Sequence, residues 1–533
     1  MTKSILLGID VVHYPLVNDF LSGNLSTSHL AAAVLIVLTC IFGLFFYNLY
    51  LHPLSKYPGP KLWAMSRMPY AISLSTGKLT HDAWAIHDKY GKVVRMAPNE
   101  LSFIDKQAWF DIYGQRGRGH AEFIKNPAWI RPAPNGAWSI IDAPEKDHLR
   151  QRKILSHAFS SNALVSQEVY VHKYTSMLID IAREKKILDM KDWYAFVAFD
   201  ITGDLTFGRS FQCLEKGKYH LWVAYLFSHL KAACLLASIT FYPMIMNLLW
   251  LFVPKAAFNQ QMYHFKKSVK WVHRRLAMET SIPDFMSFIT RNNGSKTVSI
   301  EEIEATATTL IMAGSETLAT VLTSTTLNLL LQPEKLAKLV QEIRSSFKDE
   351  SEITAKTVTG LPYLQAVIDE NFRYTPPVPC ATPRIVPPGG DTICGEFYPG
   401  GTFVGVPQLP TNRYPEHFAH SNHFIPERWL SADSPLFYPT GSDPKFDAST
   451  FVNDEFGVVR PYSVGPRSCI AQKLARMQIG VMLSRILWNF DFEFPGGEEE
   501  REKRRLRPWV SQKTFALWVK EELFVKLTPV SHP

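Results

Sequence analysis

Cys469 lies in the run Pro461-Tyr462-Ser463-Val464-Gly465-Pro466-Arg467-Ser468-Cys469-Ile470-Ala471. These residue types at this spacing suit one sulfur ligand beneath a flat, acidic macrocycle. Gly465 permits a tight turn, and Arg467 offers a guanidinium fork to a carboxylate just before the sulfur. Sulfur binds iron as the thiolate, which survives where a metal and nearby backbone N–H groups favour the charged form. Its electron donation promotes O–O cleavage, so the chemistry implied is oxygen activation at a haem iron. The plainer reading of this loop alone is a buried cysteine with a packing role, and other segments must decide between the two.

A second segment suits proton transfer. Ser299 with Glu302 forms a capping box, and the pattern runs on to Leu331, where Gln332-Pro333 ends it. One helix of about 50 Å is predicted. Near its middle, Ala313 and Gly314 leave room, and Thr317 can bond back to a carbonyl of the preceding turn. Glu316 and Thr317 are the acid and the hydroxyl that a proton relay in a dry centre requires. Taken alone, the segment also fits a buried helix with an incidental threonine.

Two further patterns place charge on one helix face. Leu361 to Arg373 reads as a helix stopped by Pro376-Pro377, with Glu370 and Arg373 at i and i+3 among Val367, Ile368 and Phe372. A pair in that setting is partly buried and survives only where other hydrogen bonds satisfy both charges. His148 and Arg152 lie at i and i+4 on a basic helical stretch, a spacing suited to a carboxylate. Solvated surface is the ordinary fate of such clusters.

Together these segments resemble the cytochrome P450 family. The haem loop of that family reads Phe-x-x-Gly-x-Arg-x-Cys-x-Gly; here Tyr462 stands for the Phe and Ala471 for the last Gly. Ala313 to Thr317 is similar to the oxygen-groove motif, with Leu318 replacing its final hydroxyl. The four signatures occur in family order from residue 148 to 471, and the likeness covers the chain from residue 57 onward. The resemblance implies a mainly α fold with small β-sheets, the cytochrome P450 fold, preceded by one N-terminal transmembrane helix. It implies haem b with Cys469 as axial ligand, and Arg467, His148, Arg152 and Arg384 as propionate contacts. It also implies a structural triad of Glu370, Arg373 and Arg428, the last from Phe424-Ile425-Pro426-Glu427-Arg428-Trp429. The activity implied is monooxygenation of an apolar small molecule by O2, with electrons from NADPH-cytochrome P450 reductase, since no flavin or dinucleotide fingerprint follows the haem loop. Arg460, Lys473 and Arg476 are candidate docking residues for that partner. The hinge and tail look most like fungal secondary-metabolism members, for which a polyketide, terpenoid or alkaloid substrate is equally suitable. A same-fold haem isomerase or peroxide-dependent enzyme, and a non-enzymatic membrane haem-binding protein, are the alternatives; Thr317 speaks against the first.

The rest of the chain sets the frame. At 533 residues, with 46% hydrophobic and 13% aromatic residues, it can build a large core. The net charge of +8 comes from scattered basic residues without any nucleic-acid-binding motif. The six cysteines show neither a CxxC pair nor zinc-ligand spacing, which argues for a reducing compartment and against a disulfide framework. Residues 30–51 are predicted to cross a membrane, after a short lumenal stretch at 1–29 and before the haem domain at 52–533. Lys56, Lys61 and Arg67 follow with no acid before Asp82, so the positive-inside bias puts that domain in the cytosol, on the endoplasmic reticulum. Tyr57-Pro58-Gly59-Pro60 reads as a stiff break. A second uncharged run, Ala232 to Pro254, is expected to roof a substrate channel rather than span the bilayer. Residues 100–140, 205–255 and 378–382 are expected to shape the pocket. The charge run from Glu498 to Arg507 is expected to be a solvated loop, and the ending from Trp509 to Val530 to form paired strands. Of the glycosylation patterns at Asn24 and Asn293, only Asn24 is expected to be lumenal.

Overall fold

The computed structural model describes residues 27–117, 120–242, 255–278, 284–292, 298–437 and 447–532. The uninterrupted apolar run near the N-terminus forms α1 (Thr27–Phe46), which continues into a π-helical turn, Tyr47–Leu51. No residue of α1 is buried among the described residues, and a helix that is apolar all round yet uncovered by protein suits a membrane span. The proline-rich segment that follows is fixed to the first strand. Arg95 N–H donates to Pro58 O at 2.7 Å, and the buried Arg95 guanidinium reaches Asn48 O at 2.8 Å. A Cβ on Gly59 would lie 2.5 Å from Arg95 O, so only glycine allows this approach.

Five strands, β1 (Val93–Ala97), β2 (Glu100–Phe103), β3 (Ile124–Lys125), β5 (Arg384–Ile385) and β6 (Phe403–Gly405), form a sheet in the order β1-β2-β6-β5-β3. The β5–β3 pairing sets Arg384 opposite Lys125. The helical body contains α2 (Glu145–Leu155), α3 (Ser161–Lys185), α4 (Met190–Phe207), α5 (Leu221–Thr240), α6 (Ile300–Leu330), α7 (Pro362–Tyr374) and α8 (Gln472–Asn489). The strand β4 (Ile187–Asp189) joins β10 (Phe524–Pro529) and β7 (Phe490–Glu493) in a second sheet, and β8 (Thr514–Phe515) with β9 (Leu517–Trp518) makes a tight hairpin.

The long helix foreseen from its capping box is present as α6, and both halves of the box form, at 2.9 and 3.2 Å. From Ser315 to Leu330 nearly every side chain is buried, and α4 is buried almost as completely against it. Gly314 makes the contact close, since a Cβ there would sit 3.3 Å from Thr202 Oγ1. The buried hydroxyls of Thr320, Thr323 and Thr325 satisfy themselves on carbonyls one turn earlier.

The expectation of a solvated loop from Glu498 to Arg507 is wrong: Gly497–Arg505 is a helix, α9. Three acids in its first turn and three bases in its last oppose the helix dipole, and Glu499–Lys503 and Glu500–Arg504 pair at i,i+4. The C-terminal strands are as expected. Of the run Ala232 to Pro254, the first part belongs to α5, where Cys234 and Ala237 are buried in the core, and 243–254 lies outside the described residues. Asn24 and Asn293 also lie outside them.

Candidate functional site

Gly465 shapes the cysteine loop. Its φ is 75°, and a Cβ would run into Tyr113 O, so no side chain fits where the loop crosses the end of the helix Lys106–Tyr113. Ser463 shares the left-handed conformation at φ 59°. The loop closes on itself through Cys469 N–H to Tyr462 O at 2.8 Å, and α8 starts directly after it. Cys469 is accessible at its own surface yet sits among protein that strips its thiolate of solvation, so burial raises its thiol. The Ala471 N–H and the Arg152 charge pull the other way. A metal is what would tip that balance fully to the thiolate. The Tyr462 ring meets Phe372 edge-on at 5.3 Å, and its buried hydroxyl has no hydrogen-bond partner among the described residues.

Beside the loop lies a cluster of cations. Arg152 from α2 donates to Ser468 O at 2.7 Å, tying the helix to the residue before the cysteine. Arg467 bonds Ala143 O at 2.8 Å and clasps the Glu122 carboxylate, which Arg384 also approaches at 3.4 Å. Lys125, across the strand pair from Arg384, bonds Ile141 O. Burial, then Arg384 and Arg467, push the Lys125 ammonium down to about 7. His148 is buried in the same cluster; burial, then Arg467, Arg152, Lys125 and Arg384, hold its imidazole down to about 3. All four residues expected to grip an acidic group therefore gather in one place. Glu122 and Lys125 are part of that group, and sequence reasoning missed them.

The segment between β3 and α2, which borders this cluster through Ala143 O, rests on α6 through Ile140 N–H to Thr306 Oγ1 at 3.1 Å, and α2 is locked to α6 by Arg150 on Glu302. On α6 itself, Thr317 Oγ1 donates to Ala313 O at 2.6 Å, the back-bond foreseen, while the helix stays regular through this point. Glu316 is buried and paired with Lys520, which follows the β8–β9 hairpin.

The Glu370–Arg373 pair is completely buried. Arg373 grips the carboxylate at 2.8 and 2.7 Å and spends its remaining donors on the carbonyls of Asn412, Ser421 and His423. Arg428 approaches the same carboxylate at 3.3 Å and pairs with Asp454 on its other side. Ile425 N–H and Trp429 Nε1–H complete the shell of Glu370. Burial alone would raise this carboxyl, but Arg373 and Arg428 outweigh it and hold it below its ordinary value. The three residues expected to assemble do so, and Asp454 is the partner that the sequence motifs did not reveal.

Residues 58–514 match the cytochrome P450 family model. The chain is 39% identical to cytochrome P450 monooxygenase astJ of Aspergillus oryzae over 91% of its own length and 94% of that protein. It is 40% identical to cytochrome P450 monooxygenase astA of Talaromyces wortmannii over the same shares. Averantin hydroxylase of Dothistroma septosporum is 37% identical over 94% of this chain and 90% of that one. The chain belongs to the cytochrome P450 family. It is a haem-thiolate monooxygenase of secondary metabolism, with haem b as cofactor and O2 and a small molecule as substrates. The residues of this P450 fit such a cofactor. Lys125, Arg152, Arg384 and Arg467 outnumber Glu122 and Asp142, and the buried Arg384 Nε lacks a hydrogen-bond partner among the described residues. A macrocycle bearing two carboxylates answers both the charge excess and the spare donor.

Proposed function

We propose that Cys469 would ligate the haem iron, that His148, Arg152, Arg384 and Arg467 would hold the propionates, and that Glu316 and Thr317 supply protons. The observation that carries this reading is the meeting of the accessible Cys469 with the cationic cluster through the Arg152–Ser468 bond. Haem, when bound, supplies the iron at which dioxygen is reduced and split, with electron density from the thiolate. The protein's share is charge, shape and protons. Arg467 and Arg384, which now hold Glu122, would offer their guanidinium groups to the propionates, whose charge would also offset the cations around His148. Overall, a C–H bond, O2, two electrons and two protons give an alcohol and water; Thr317 Oγ1 and the Glu316 carboxylate hold the protons for that reduction.

The substrate in this reading is an apolar secondary metabolite such as a polyketide, terpenoid or alkaloid. What supports an apolar molecule is the lining of the cleft between the first sheet and the C-terminal hairpin, Leu74, Met96, Leu101, Trp129 and Ala381, whose one carboxylate, Glu100, is already paired with Arg67. Electrons come from NADPH-cytochrome P450 reductase. α1 anchors the enzyme in the endoplasmic-reticulum bilayer, with residues 52–533 as one cytosolic haem domain. Glu370, Arg373 and Arg428 lock the core beneath the cysteine loop. A same-fold isomerase or peroxide-dependent enzyme needs no proton relay, and the Thr317 hydroxyl argues against it.

The test is the reduced carbon-monoxide difference spectrum of the microsomal enzyme beside Cys469→Ser. A strongly red-shifted Soret band, absent from the variant, is the expected result. The same band in both proteins, or none in haem-loaded wild type, would remove Cys469 from its role.

A further inference from the structure

The cleft between the first sheet and the C-terminal hairpin is walled by Leu74, Leu79, Met96, Leu101 and Ala381, with a few polar side chains among them. Almost all of those are spent. Glu100 pairs with Arg67 and also bonds the Tyr70 hydroxyl. Thr514 donates to Thr80 at 2.9 Å, Ser102 bonds the His87 ring at 2.8 Å, and Cys380 Sγ donates to Ala516 O at 3.4 Å. Trp129 is the exception: its Nε1–H is shut off from solvent and has no hydrogen-bond partner among the described residues. The indole N–H groups of Trp109, Trp488 and Trp509 share that condition inside the packed cores, but of these tryptophans only Trp129 lines the cleft.

The indole is fixed by its surroundings. Trp129 follows β3 on a tight turn, in which Asn126 Oδ1 accepts from Ala128 N–H at 2.9 Å and Asn126 O accepts from Trp129 N–H at 3.0 Å. Asn126 is buried, and its own N–H donates to Pro383 O at 3.2 Å. The turn is thereby fastened to a residue of the cleft wall that directly precedes Arg384. The Trp129 ring packs on the cluster of Tyr70, Leu74, Met96 and Phe515. A donor held in this way loses little freedom when an acceptor reaches it, and is costly while none does. An indole nitrogen only donates, so what completes it is an acceptor atom.

Charge narrows the ligand further. Arg67 neutralises Glu100, donates to Asn99 Oδ1 at 2.6 Å and lies 4.6 Å from the centre of the Phe241 ring, so its guanidinium is fully engaged. Among the described residues of the cleft wall, a carboxylate-bearing ligand finds no spare cation and an ammonium finds no spare acid. Resting on the reading of this cleft as the seat of an apolar substrate, we propose that Trp129 is a specificity-determining residue: its indole N–H donates to a neutral oxygen acceptor of the substrate, the carbonyl of a ketone, quinone or lactone. Of a polyketide, a terpenoid and an alkaloid, the oxygenated polyketide meets that demand. A hydrocarbon terpenoid leaves the indole unpaired, and a protonated alkaloid sets a donor against a donor.

The experiment compares fluorene with 9-fluorenone, flat ring systems that differ by one carbonyl oxygen, on the holoenzyme. Equilibrium dialysis gives each dissociation constant, and difference ultraviolet resonance Raman spectroscopy follows the indole N–H. In wild type the ketone is expected to bind about tenfold tighter than the hydrocarbon, and to shift a tryptophan N–H band that W129F lacks. W129F and a Trp129→benzothienylalanine variant, which keeps the double ring and its packing but replaces N–H by sulfur, should bind the two probes equally. The ratio is the readout, because trimming the ring in W129F weakens both probes alike; the carbon-monoxide band reports that each variant is folded. A ratio kept in the variants, or equal constants in wild type, would overturn the role of Trp129 and leave the apolar-substrate reading standing. If wild type binds neither probe, that reading falls and this inference with it.

Discussion

Thr317 is the residue at which the proton economy is most directly tested. Its hydroxyl already donates to Ala313 O at 2.6 Å, so it has an acceptor lone pair to offer and a donor it can redirect. Thr317→Ala removes this without disturbing a regular helix. The expected outcome is continued NADPH oxidation, product formation reduced by about 10²-fold, the low end of what general acid–base groups contribute, and peroxide in its place. Thr317→Ser keeps the hydroxyl and most of the product. Simultaneous assay of NADPH, peroxide and product checks this. Residues of this sort were legible because their neighbours in sequence carry the signal: Cys469 with Gly465 and Arg467, Thr317 with Glu316 and Gly314. Glu122, Lys125, Asp454 and Lys520 were not. Each reaches the site from a two-residue strand or an irregular segment, where no periodicity announces which way a side chain points, and each acquires its meaning only from a partner 16 to 345 residues away.

At the level of elements, the buried triad joins α7 to the segment that precedes the cysteine loop. Two substitutions separate its parts. In Arg373→Ala, Glu370 keeps Arg428, Trp429 and Ile425, but the carbonyls of Asn412, Ser421 and His423 lose their donor. Breaking a buried pair in this way costs about 3–5 kcal/mol. In Glu370→Gln the same carbonyls keep Arg373, and Arg428 keeps Asp454, so the loss is expected to be smaller. The melting temperature of the haem-thiolate carbon-monoxide band should rank wild type above E370Q and E370Q above R373A. The pH dependence has a definite sign. Glu370 is held below its ordinary value in the fold, so its contribution is complete above the unfolded pKa of about 4.3 and is lost as pH falls through the lower folded value. The helix α7, its stop before Pro376 and the i,i+3 pair were readable from sequence. The helix α9 was not, because its charges were weighed as solvated surface rather than as i,i+4 pairs and dipole partners that can hold a short helix together.

For the whole molecule the question is which side of a membrane each part occupies. The helical segment Thr27–Leu51 spans about 37 Å at 1.5 Å per residue, more than the about 30 Å of bilayer hydrocarbon. It does not end in a free joint. Asn48 Nδ2 donates to Met65 O at 2.8 Å, and Arg95 holds Asn48 O from the first sheet, so the last turn of the segment and the globule move together. The second uncharged run is the feature that would contradict a single crossing. Its first part belongs to α5, with Cys234 and Ala237 buried and Thr240 Oγ1 accepting from Arg131 at 2.8 Å. What is left, residues 241–254, is shorter than the about 20 residues a spanning helix needs. If that run did cross, Asn293 and Cys469 would lie on the side opposite residues 56–231. The glycosylation patterns at Asn24 and Asn293 turn this into a measurement: in microsomes the chain should resist carbonate extraction, and endoglycosidase should leave the mobility of an Asn24→Gln variant unchanged. A mobility shift in that variant, abolished by Asn293→Gln, would put the central segment in the lumen and overturn the single-crossing arrangement. Loss of the carbon-monoxide band when protease is added outside sealed microsomes would agree with it, because the whole path from β1 to the cysteine loop would then share the exposed cytosolic face.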